Sequence, residues 1–63
     1  MWVIKLLRNP DERDNIEVIE IQSKDEPTYT YCSYMRDRTI YHGTLYEIVN
    51  GKEEYRAGFC NGR

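Results

Sequence analysis

Apolar and polar positions alternate with a period of two over most of this chain, and the alternating runs are separated by short polar or turn-forming clusters. In Trp2 to Leu7, Trp2, Ile4 and Leu6 fall on one side and Val3, Lys5 and Leu7 on the other, which predicts a strand. Asn9-Pro10-Asp11-Glu12 has the chemistry of a helix start, but no apolar residue follows until Ile16. It predicts at most one short helical turn near residues 10–14.

Asn15 to Gln22 carries two signals. Asp14 with Glu17 makes a capping box and the aliphatic spacing fits a helix, yet Ile16, Val18, Ile19 and Ile21 are β-branched and favour a strand. The strand is the better reading. The alternation changes phase between Val18 and Ile19, as at a bulge or in a strand buried on both faces. After the turn cluster Ser23 to Pro27, Thr28 to Met35 reads as a strand dense in Tyr and Thr. Arg36-Asp37 then leads into a long strand from Arg38 or Thr39 to Val49, with a bend or bulge at Gly43.

Val49-Asn50-Gly51-Lys52 is the strongest local signal. Both central positions of a type I′ hairpin turn need φ > 0, and Asn-Gly supplies them. The turn sets Val49 opposite Lys52, Ile48 opposite Glu53 and Tyr46 opposite Tyr55; continued evenly, it sets Thr44 opposite Ala57 and His42 opposite Phe59. On that register Ile40, His42, Thr44, Tyr46, Ile48, Tyr55, Ala57 and Phe59 form the core face. The fold class is therefore all-β: one domain over residues 1–63, a five-stranded antiparallel meander forming a curled sheet or an SH3-like, partly open barrel. A sheet so short and without a covering helix also points to a homodimer, through a strand edge or a bare face.

Composition narrows this reading slightly. The 63 residues are 40% hydrophobic and include Trp2, Phe59 and six tyrosines, too aromatic for a disordered chain. Net charge is −2, and acids outnumber bases from Arg8 to Glu26, so phosphate binding could reside only in the C-terminal half. The start lacks the pattern of a signal peptide, and no run approaches the roughly 20 apolar residues that cross a bilayer. A cytoplasmic protein with no membrane contact and with reduced Cys32 and Cys60 is expected.

Candidate chemistry is thin. Cys32, Cys60 and His42 lack the spacing of a zinc site, so no metal or cofactor is expected. Ser33 facing His42 would place a hydroxyl by an imidazole, but no third group orients the base, so no catalytic residue is assigned. What stands out is the Tyr/Arg series from Tyr29 to Tyr41. If Tyr34 and Tyr41 lie on neighbouring strands, they share a face with Arg36, Arg38 and Arg56. Aromatics and arginine concentrate at protein-binding hot spots, so these five are the expected partner-binding residues of a non-enzymatic interaction module, a small regulator or inhibitor. The alternative is a single-stranded nucleic-acid binder that stacks bases on Tyr34 and Tyr41 and neutralises phosphates with Arg36, Arg38 and Arg56.

Overall fold

The computed structural model describes residues 1–12 and 14–61. Its elements are β1 (Trp2–Leu7), β2 (Ile16–Ile21), α1 (Thr28–Arg36), β3 (His42–Val49) and β4 (Lys52–Cys60). The strands form one antiparallel sheet in the order β2-β1-β3-β4. The mostly β, antiparallel architecture expected from the pattern is present. The fifth strand is not: Thr28–Arg36 is a helix, and the sheet is open rather than a meander or barrel.

Topology explains that correction. β2 and β3 are each antiparallel to β1, so they run parallel to one another with β1 between them. Joining parallel strands takes a crossover, usually a helix. Nine residues rich in Thr and Tyr would not be helical alone; packing holds them. Tyr31 is buried and Pro27 and Tyr34 half-buried, a spacing of four then three residues, while Tyr29 is 88% exposed. Arg36 in the last turn complements the helix dipole, and the Asp37 N–H closes the end on the Tyr34 carbonyl at 3.0 Å. The expected helical turn near residues 10–14 is a pair of tight turns, Glu12 N–H to Asn9 O and Asn15 N–H to Glu12 O, both 3.0 Å; residue 13 lies outside the described residues.

The core lies between α1 and one face of the sheet. Ile4, Leu6, Ile40 and Leu45 are fully buried, joined by Trp2 and Tyr31, with Ile19, Ile21, Tyr34, Ala57 and Phe59 packed around them. The core face is thus the one bearing Trp2, Ile4, Leu6, Gly43 and Leu45. His42, Thr44, Tyr46, Ile48 and Tyr55, expected inside, lie on the opposite face. The hairpin is as expected near its turn: Asn50 and Gly51 have φ of 53° and 76°, and Tyr46 pairs with Tyr55. Between Leu45 and Tyr46 the register shifts, so Ala57 pairs with Leu45 and Phe59 with Gly43. Arg56 is the extra residue of that bulge. The shift carries Ala57 and Phe59 to the helix side while Tyr55 stays on the other.

Asn61 fastens the end of the crossover. Its side-chain amide donates to the carbonyls of Ile40 (3.0 Å), Asp37 (3.2 Å) and Met35 (3.3 Å), and its backbone N–H to Tyr41 O at 2.8 Å. These carbonyls include one that the last helical turn leaves unpaired. Asn61→Ala is expected to lower stability by about 1–2 kcal/mol in chemical denaturation, the range for leaving part-buried polar groups unsatisfied.

Candidate functional site

With α1 on one side, no helix among the described residues lies over the other face of the sheet. Alternation from β1 assigns its residues: Val3, Lys5 and Leu7; across β2, Ile16, Val18 and Glu20; across β3, His42, Thr44, Tyr46 and Ile48; and on β4, Glu53 and Tyr55. The expected bulge or double burial of β2 is not found: it pairs with β1 without a bulge, and it turns Ile19 and Ile21 towards the helix while Ile16 and Val18 are exposed on the other face.

Ile16 is 50% exposed, Val18 56% and Tyr55 63%. The total accessible surface, 4690 Å², exceeds the ~4,300 Å² usual for a monomer of this mass, as a sheet covered on one side only would. Ile16 and Val18 are neighbours on β2 and Tyr55 lies on the far edge strand, while Val3 and Thr44 between them are buried at 4% and 8%.

Two charged groups of this face are paired with one another. Lys5 Nζ bonds Glu53 Oε1 at 2.9 Å and sits 5.0 Å from the centre of the Tyr46 ring, and Tyr46 meets Tyr55 edge-on at 6.3 Å. An ion pair this exposed contributes little stability, but with the cation–π contact it fixes the lysine across the middle of the face. A shallow groove runs beside it, lined by Leu7, Ile16, His42, Thr44 and Tyr46 among others. His42 stands opposite Cys60 at the end of the face. Among the described residues no group of three or more His, Cys, Asp or Glu is placed to hold a metal.

The residues expected to bind a partner are distributed differently. Tyr34 is on α1 and packs against the core, so it and Tyr41 do not lie on neighbouring strands. Arg36 and Arg38 are exposed at and beyond the helix C-terminus. Tyr41 precedes β3, half-buried, its N–H bonded to Leu7 O at 2.9 Å. Arg56 donates two hydrogen bonds to Glu47 Oε1, at 2.9 and 3.1 Å. Ser33 sits on the helix, donating to Tyr29 O at 3.1 Å, and does not pair across strands with His42. Cys32 and Cys60 are both free thiols.

Among the described residues two groups have displaced pKa values, neither on the bare face. Burial raises the Tyr31 phenol, with smaller contributions from Tyr55 and Cys32. The Thr39 hydroxyl and backbone N–H hold the Asp37 carboxylate below its ordinary range. Both belong to packing and turn structure rather than to a reacting centre.

The open face was missed in the sequence because its residues were assigned to the core. The available signal was Trp2-x-Ile4-x-Leu6, whose face takes the larger apolar residues of the first strand and leaves Lys5 opposite. No protein-family model, curated protein or solved structure matches the chain. Among the described residues no helix is long and apolar enough to cross a membrane.

Proposed function

We propose that the chain is a non-enzymatic interaction module, a small cytoplasmic regulator or inhibitor that acts by docking the bare face of its sheet on a partner protein. The observation that supports this reading is the exposure, on that face, of Ile16 and Val18 on one edge strand and of Tyr55 on the other, with the Lys5–Glu53 pair between them. Apolar side chains surrounding a pre-paired charge bury at low desolvation cost, and tyrosine supplies contact area with little entropy to lose.

The face is poorly suited to nucleic acid. Lys5 is engaged by Glu53, and Glu20 adds a second carboxylate where phosphates would lie. Arg56, counted among the phosphate-binding side chains of that alternative, is held by Glu47.

Affinity capture from lysate of the expressing cells, quantified for three forms of the protein, tests the proposal. Tyr55→Glu, on the bare face, is expected to reduce the captured partner at least tenfold, about 1.4 kcal/mol or more. Tyr29→Glu, on the exposed side of the helix, is expected to leave capture unchanged. The opposite pattern, with both variants retaining the wild-type melting temperature, would move the binding surface to the helix.

A further inference from the structure

The sheet has two edges, and they differ. β4 carries the bulge at Arg56 together with Lys52 and Gly58, devices that discourage strand addition. β2 has no bulge, lysine or glycine, and its charges are Glu17 and Glu20. It is Ile-Glu-Val-Ile-Glu-Ile, without proline, in unbroken register with β1 on one side and with no strand on the other.

The hydrogen-bond phase identifies what this edge presents. Ile48 N–H donates to Met1 O at 2.8 Å, in line with the β1–β3 register. Antiparallel residues turn their backbone groups alternately to either side. Val3, Lys5 and Leu7 therefore face β3, and Trp2, Ile4 and Leu6 face β2. The β2 partners of those three are Ile21, Ile19 and Glu17. The backbone groups of Ile16, Val18 and Glu20 thus point outward from the edge.

We infer that β2 pairs with β2 of a second copy, antiparallel and centred on Val18, so that two four-stranded sheets become one continuous sheet. In this register Val18 meets its own counterpart and Ile16 meets Glu20 of the other copy, which uses every outward N–H and C=O of the three residues. Glu17 falls opposite Ile19, so no carboxylate faces a carboxylate. A slip of two residues leaves Ile16 or Glu20 outside the pairing. A slip of one would set the helix side of one copy against the bare side of the other. The two-fold axis stands perpendicular to the sheet, keeping both helices on one side and joining the two bare faces into a surface of double width. This inference rests on the edge, not on what docks on the face.

The test is molar mass by sedimentation over about 10 µM to 1 mM, a span set to catch a weak dimer. Wild-type protein is expected to dimerise within it. Val18→Lys sets two ammonium groups together at the axis, and Val18→Pro removes an outward N–H that β1 does not use. Each is expected to weaken the dimer at least tenfold. Ile16→Lys places a lysine opposite Glu20 of the other copy and is expected to retain or tighten it. Tyr55→Glu, on the far edge strand, is expected to leave the mass unchanged, so this inference and the proposed docking surface fail separately. Circular dichroism checks that each variant is folded; if Val18→Pro is not, Val18→Lys and Ile16→Lys decide.

Three results would overturn the inference: a monomer throughout the range, including one that takes up a strand only from another protein; a folded Val18→Pro or Val18→Lys that dimerises like wild type; or Ile16→Lys dissociating as fully as Val18→Lys, which is what face-to-face stacking would give.

Discussion

Ile4→Ala is expected to be the most destabilising of the changes considered, removing about 2–5 kcal/mol. Ile4 has no exposed surface. It lies on one of the two central strands, between Ile19 on one side and Leu45 on the other. Removing a buried isoleucine down to its Cβ costs about 2–5 kcal/mol, most where neighbours cannot collapse into the space. Hydrogen-bonded strands on both sides of β1 restrict such collapse. At ~0.05–0.15 kcal/mol per residue, a chain of this length has only about 3–9 kcal/mol in total, so the loss is a large share of it. Urea unfolding is expected to show a much lower midpoint with a similar slope. A midpoint within 0.3 M of wild type would mean that the core is elsewhere.

Gly43→Ala is expected to be the next most damaging change. Gly43 is buried on the helix side, directly opposite Phe59. A Cβ built there would collide with the Phe59 ring. The aromatic ring lies over the glycine, filling the place its missing side chain leaves. Phe59 also meets Tyr31 of the helix edge-on at 5.7 Å. To admit the methyl group, the ring must swing away and give up that contact. Overpacking costs about 1–3 kcal/mol, and an aromatic pair contributes about 0.5–1.5 kcal/mol beyond its buried area. A net loss of about 2–3 kcal/mol is therefore expected, after a small gain because alanine restricts the unfolded chain. Adding Phe59→Leu, which relieves the clash, should recover part of the loss. If the double variant is less stable by the full sum of the two single changes, the two residues are not coupled as described.

The sequence made the local structure more legible than the arrangement of its elements. Asn50-Gly51 specified its turn and the neighbouring pairs because the required φ > 0 is a property of those two residues alone. The first two strands were readable for a similar reason, β-branched and alternating residues over a short span. The helix was not. Tyr29, Tyr31, Ser33 and Met35 satisfy a period of two as well as Pro27, Tyr31 and Tyr34 satisfy a helical one. Thr and Tyr lean towards a strand. The deciding fact is non-local: β1 sits between β2 and β3, so the chain must cross over. The inverted faces follow from a single residue. Without the bulge at Arg56, Ala57 and Phe59 count towards the side that bears Tyr55; with it, they move beneath the helix. The five-residue Tyr/Arg surface rested on Tyr34 being in a strand, and its geometric basis changed with that strand.

The central claim is that one helix covers one face of the sheet and the opposite face stands bare. A soluble nitroxide probe, added to protein with labelled methyl groups and followed by NMR, tests it directly. The account predicts strong broadening of the Ile16 and Val18 methyls and little effect on Ile4, Leu6, Ile40 and Leu45. Protection of Ile16 and Val18 together with broadening of Leu6 and Leu45 would contradict it, placing the helix on the other side of the sheet.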